Sequence, residues 1–144
     1  MGAAKRVLIV DDEEKVLFVM SRALARLGTA CQVQTAENGR RALEMARSAP
    51  FDVVVTDLHM PELDGLKLTE ALLNLEPRPT VIWITAYHCK AQEAEMERLG
   101  VRCCLDKPIE IGKIREIVSE ALWEDAVQQA DARERKQTCK PTTM

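Results

Sequence analysis

The sequence predicts a doubly wound α/β domain on a five-stranded parallel sheet, and three observations carry that prediction. Short, wholly apolar runs recur along the chain, led by Val7-Leu8-Ile9-Val10 and Val53-Val54-Val55, and such runs suit strands buried on both faces. Segments of helical period alternate with them across connections of a few residues, which requires right-handed crossovers and helices on both sheet faces. Several of the strands stop abruptly at an acidic, hydroxyl or basic residue, and the carboxyl ends of strands are where open α/β sheets place their chemistry.

Taken in order, Arg6 to Val10 is the first strand and ends in Asp11-Asp12. Glu13 to Leu27 follows a helical period with Leu17, Met20, Leu24 and Leu27 on one face. Asp12 is placed to cap this helix, Glu13 and Glu14 suit its positive end, and Gly28 suits its stop. Cys31 to Ala36 alternates like a strand nearer the sheet edge. Asn38-Gly39 opens a short helix through Ala42, Leu43 and Ala46 that ends before Pro50. The valine strand then meets Asp57, after which Pro61 and Gly65 force a loop. Leu66 to Leu75 is a leucine-rich helix that stops before Pro77 and Pro79. Thr80 to Ile84 is the fourth strand, ending in Thr85-Ala86. Ala91 to Leu99, rich in charge and poor in apolar anchors, is expected to be the loosest helix, closed by Gly100. Val101 to Asp106 is the fifth strand and leads to Lys107-Pro108. The last helix starts near Glu110 and is expected to bury Ile111, Ile114, Val118 and Leu122.

Bulk properties narrow the function. The 144 residues fit one domain with a full core. Aromatics are only 3%, so that core must be aliphatic. No apolar run approaches the ~18 residues of a membrane span, and no signal-peptide hydrophobic region opens the chain, so a cytoplasmic protein is expected. A net charge of −3 argues against direct nucleic-acid binding. The five cysteines (Cys31, Cys89, Cys103, Cys104 and Cys139) lack metal-ligand spacing and are expected to be reduced thiols, mostly small core residues. Cys103 and Cys104, adjacent in one strand, should face opposite sides of the sheet.

In a parallel sheet all carboxyl ends share one edge, which here gathers Asp11, Asp12, Asp57, Thr85 and Lys107. Each alone has an ordinary reading: Asp11-Asp12 as a helix cap, Thr85 as a turn residue, Lys107 as a solvated charge. Their convergence is what carries the argument. Crowded carboxylates repel unless a hard cation joins them, and Mg²⁺ suits a few carboxylates, retained waters and a phosphate oxygen. A lysine and a threonine add the charge and hydrogen bond that a phosphoryl group would use. Aspartate is itself a known nucleophile toward phosphorus.

On these residues, with Met60-Pro61 and Asp64-Gly65 after Asp57, the chain resembles a response-regulator receiver domain over roughly residues 5 to 123. The resemblance implies a flavodoxin-like receiver fold with strand order 2-1-3-4-5. It also implies phosphorylation of Asp57 by a sensor histidine kinase or phosphotransfer protein. Asp12 and Asp57 would ligate Mg²⁺ directly, Asp11 through water, and the His59 backbone carbonyl would complete the protein's share. Lys107 would pair with Asp57 across a cis Lys107-Pro108 bond, a geometry that proline makes accessible. Thr85 would move toward the phosphoryl group, past the small Ala86. The side chains of His59 and Tyr87 would face the pocket and tune phosphoryl lifetime. Cys104 departs from the pattern, because receivers usually carry Tyr or Phe three residues before the lysine. The switch would then use another group, Tyr87 being nearest, or be weakly coupled.

Two other functions compete with the signalling switch. An aspartate-nucleophile phosphatase would usually carry a second aspartate two positions after the first, where this chain has His59. A receiver-like scaffold that binds without phosphorylation would have no need of all five rim residues. The domain is expected to span 1–123, with 124–144 a helix extension and disordered tail or the start of a linker. That length is expected to leave no room for an output domain after the last helix, and the chain is read as either a free-standing regulator or the receiver of a longer protein. Trp123, on a second apolar line with Val127 and Ala130, is either a tolerated surface residue or an interface for an output partner.

Overall fold

Each apolar run becomes a strand of one parallel sheet in the structure, a computed structural model that describes residues 4–123. The strands are β1 (Lys5–Val10), β2 (Cys31–Ala36), β3 (Val53–Asp57), β4 (Thr80–Thr85) and β5 (Cys103–Asp106), in the order 2-1-3-4-5. The register pairs Val7 with Val53, Val53 with Thr80, and Trp83 with Cys104. Five helices alternate with them: α1 (Glu14–Ala25), α2 (Gly39–Ser48), α3 (Gly65–Leu72), α4 (Glu93–Leu99) and α5 (Ile111–Trp123). Strand order and helix placement are those expected of the doubly wound, flavodoxin-like fold.

Strand alternation divides the core in two. Val7, Ile9, Val53, Val55, Ile82 and Ile84 pack under α1 and α5, while Leu8, Val10, Val54, Val81 and Trp83 pack under α2, α3 and α4. Each such aliphatic side chain contributes about 1.5–3 kcal/mol on burial, so both faces of the sheet are firmly covered. The adjacent cysteines split as expected, Cys103 toward the first layer and Cys104 toward the second. Trp83 is fully buried, and its indole Nε1 donates to Thr69 Oγ1 at 2.8 Å, while that hydroxyl donates to the Gly65 carbonyl at 2.7 Å. This relay fixes the first turns of α3 against β4.

Local chemistry sets the helix ends. Asn38 and Asp64 cap α2 and α3 by accepting from the backbone N–H groups of Arg41 and Lys67. Asp12 does not cap α1: the cap position is Glu13, and Asp11 Oδ1 accepts the Glu13 N–H at 2.9 Å. Asp11 turns inward at the strand end and takes that donor, which leaves Asp12 exposed. Gly100 closes α4 with φ 70°, a left-handed conformation natural to glycine. Two further expectations change. Ile111 is 47% exposed, because it lines an open groove with Val16, Val19 and Pro108 while Ile114, Val118, Ala121 and Leu122 fill the core. Cys89 and Cys104 are joined by a disulfide, with Cα atoms 5.7 Å apart, in place of the reduced thiols expected. The β4–α4 loop folds back over β5 and brings them together. Cys31 and Cys103 are buried and outside any disulfide. The tail over 124–144, with Val127, Ala130 and Cys139, lies outside the described residues.

Candidate functional site

The carboxyl edge of the sheet brings the acidic residues together. Asp11, Asp12 and Asp57 each offer a carboxylate oxygen, and these oxygens lie within 4.8 Å of one another. Asp11 and Asp57 end buried strands and are themselves buried, whereas Asp12 opens toward solvent. Lys107 reaches in from the end of β5, its Nζ 3.2 Å from Asp57 Oδ2 and 3.0 Å from Asp11 Oδ2. Glu13 Oε1 stands 3.5 Å from the same ammonium. Sequence reasoning gave Glu13 only a place at the helix dipole; the acidic run from Asp11 to Glu14 was its one signal. The Lys107-Pro108 bond is cis, as the resemblance implied.

Titration follows from this packing. Burial raises the Asp11 carboxyl above the ordinary carboxylate value, against the lowering effect of the Glu13 N–H and the Lys107 ammonium. Burial alone would lower the Lys107 ammonium, but Asp11 and Asp57 outweigh it and hold the charge on more tightly than usual. Lysine thus neutralises part of the carboxylate charge while retaining its own.

The donor set fits a hard divalent cation. Asp11 Oδ2 is buried, and the Lys107 ammonium 3.0 Å away is its one neighbour of opposite charge among the described residues. A buried carboxylate oxygen so placed beside two further carboxylates is short of positive charge, and oxygen-only ligands suit cations such as Mg²⁺ or Ca²⁺.

The remaining predicted residues are close to this cluster but differently engaged. The backbone N–H of His59 donates to Asp57 Oδ1 at 3.3 Å. The exposed His59 ring meets Tyr87 edge to face, with centroids 4.2 Å apart. Thr85 is fully buried, and its hydroxyl accepts from the Tyr87 N–H at 3.0 Å rather than bonding to Asp57. Its carbonyl accepts from the Lys107 N–H at 2.8 Å, so the loops after β4 and β5 are linked at the rim. Gly65 matters more than sequence reasoning suggested: a Cβ there would run into the Asp57 carbonyl oxygen and lie 2.8 Å from the Leu58 Cα. The glycine lets α3 start directly against the Asp57 end of β3.

Comparison with known proteins agrees with this geometry. The family model described as the response regulator receiver domain matches residues 7–119. The regulatory protein AtoC of Escherichia coli (strain K12) is 38% identical over 122 residues, covering 85% of this chain and 26% of AtoC. The chain spans about a quarter of the length of the curated relatives it matches first. Among solved structures, the receiver domain of AraT, a response regulator from Geobacillus stearothermophilus, superposes with a TM-score of 0.78 at 31% identity, covering 88% of this chain and 98% of that one. The chemotaxis protein CheY4 of Vibrio cholerae gives a TM-score of 0.76 at 27% identity, covering 83% of this chain and 100% of that one. With its strand order, its acidic rim and these matches in agreement, the chain belongs to the response-regulator receiver family of two-component signalling.

Proposed function

We propose that Asp57 is the phosphoacceptor and that Asp11, Asp12, Asp57 and the His59 backbone carbonyl hold Mg²⁺ beside it. The observation that carries this reading is the approach of Lys107 Nζ to both Asp57 Oδ2 and the buried Asp11 Oδ2. A sensor histidine kinase or phosphotransfer protein supplies the phosphoryl group. An Asp57 carboxylate oxygen forms the new O–P bond as the donor's N–P bond breaks. Lys107 then follows the phosphoryl oxygens, and Thr85 exchanges its bond to Tyr87 for one to the phosphoryl group. When bound, Mg²⁺ supplies the positive charge that lets a phosphoryl group approach three carboxylates.

The chain acts as a switch and not as a turnover enzyme, because the second aspartate of an aspartate-nucleophile phosphatase is replaced by the exposed His59. His59 and Tyr87, in contact at the mouth of the site, set phosphoryl lifetime. Residues 1–123 form the receiver and 124–144 its extension. Output is to a protein partner through α5, whose Trp123 is 40% exposed. Among the described residues no helix is long and apolar enough to cross a membrane; a cytoplasmic location is part of the proposal.

Acetyl phosphate with Mg²⁺ is expected to add one phosphoryl mass to the wild-type chain and none to Asp57→Asn. An unmodified wild type would favour a non-phosphorylated scaffold. Sustained release of phosphate over many turnovers would favour an enzyme.

A further inference from the structure

The disulfide occupies a position that the phosphoryl chemistry does not use. Cys89 follows Thr85 by four positions, and Cys104 precedes Lys107 by three. The bond therefore ties together the two loops that bring a hydroxyl and an ammonium to the rim. It encloses α4, which is seven residues long and buries only Leu99 fully. Beside it, His88 holds φ 65° and ψ 115°, a left-handed backbone that a histidine adopts at a cost. The Cys89 N–H also donates to Asp106 Oδ1 at 2.8 Å, so the backbone at this cysteine lies against the end of β5.

Accessibility separates this pair from the other described cysteines. Cys89 and Cys104 are half-buried, within reach of a small exchange partner, while Cys31 and Cys103 are buried and outside any disulfide. Bonded cysteines deep in a core are inaccessible; a half-buried pair, joining the turn before a loosely packed helix to an edge strand, is the kind that exchanges.

We propose that Cys89 and Cys104 form a reversible disulfide, closed and opened by exchange with low-molecular-weight disulfides and thiols, that sets the freedom of residues 86–100. In closure, one cysteine thiolate attacks the small disulfide and expels a thiol. The second thiolate then attacks the mixed disulfide and expels another. Two electrons and two protons pass from the protein to the small disulfide, which leaves as two thiols. Closed, the bond holds the β4–α4 segment on β5; open, the segment is released to respond to the rim. What this release controls rests on the phosphoacceptor reading, but the exchange chemistry does not.

The test uses the full chain equilibrated in glutathione disulfide or in reduced glutathione. Alkylation and peptide mass mapping report which thiols pair, and amide hydrogen exchange is followed with and without acetyl phosphate. Cys89 and Cys104 are expected to be protected together in the oxidised buffer and alkylated in the reduced one. Reduction alone should speed exchange over residues 86–100 by about tenfold, with Val53–Leu58 unchanged. The variant Cys89→Ser/Cys104→Ser should match the reduced protein in both buffers. Acetyl phosphate should alter exchange over 86–100 in the reduced form and much less in the oxidised form. Failure of the two cysteines to pair, or equal exchange over 86–100 in both redox forms, overturns the proposal. Redox-dependent exchange with no phosphorylation in either form leaves the lock standing and sinks the phosphoacceptor reading. Phosphorylation with the same response in both forms refutes the lock and leaves that reading intact.

Discussion

At the corner of Asp11, Asp57 and Lys107, the two buried carboxylates are held by strands buried on both faces of the sheet, and the ammonium reaches them from the edge strand β5. At the β4–β5 corner, a short helix rests through Leu99 and is secured by a disulfide and exposed side chains, Tyr87 among them. The contrast follows from what each corner must tolerate. Ionised carboxylates repel, so the acidic corner keeps its geometry only against a stiff background. A segment that answers a small charge change must be separated from its alternatives by little free energy, and sparse burial provides that. The proposed chemistry is placed where burial is deepest, and the proposed response where it is sparsest.

The same substitution at two glycines breaks or sharpens this comparison. Gly65→Ala drives a Cβ into the Asp57 backbone, where little can yield; a loss of about 3 kcal/mol or more is expected from urea unfolding. A midpoint equal to wild type would show that the acidic corner is not stiff. Trp83→Phe tests the link between the corners by removing the indole donor to Thr69. Its expected cost is about 2 kcal/mol from the lost bond and the space left behind, and an unchanged midpoint would mean that the relay holds nothing. Gly100→Ala meets open space but must adopt φ 70°, so it should cost only about 1 kcal/mol, all of it backbone. A larger loss than at Gly65 would invert the comparison.

The smallest effect is expected to have the opposite sign. Burial raises the Asp11 carboxyl above 3.8 in the folded protein. A raised group contributes its stability fully below the unfolded value and loses it as pH climbs through the folded value. At neutral pH, ionised Asp11 is therefore a cost, and Asp11→Asn in chelator should be more stable than wild type by on the order of 1 kcal/mol. The difference should close as pH falls toward 3.8, and millimolar Mg²⁺ should stabilise wild type more than the variant. A wild type that is the more stable in chelator at pH 7 would mean that Lys107 already compensates Asp11 fully. Lys107 itself should add no slope near neutrality, since a raised ammonium loses its contribution only above its ordinary value of 10.5.

Much of this was legible in the chain. Val7 to Val10 and Val53 to Val55 are apolar on both faces, which only a covered parallel strand explains. Once the strands are parallel, their carboxyl ends must share an edge, so Asp11, Asp57 and Lys107 could be placed together before any distance was measured. Helix ends were less legible. Asp11 and Asp12 are chemically equivalent caps, and only the inward turn of Asp11 decided which one accepts the Glu13 N–H. Ile111 fits the apolar stripe of α5 by spacing yet lines an open groove, because periodicity marks a face and not what covers it.

The sequence by itself determined the sheet, its direction and the residues at its functional edge, since apolar runs and chain polarity are local properties. Tertiary structure alone decided that Cys89 meets Cys104, that His59 meets Tyr87, and that the Thr85 hydroxyl bonds within its own loop. Those contacts depend on how far each loop folds back over its neighbour. Register and packing set that distance, and residue type does not record it.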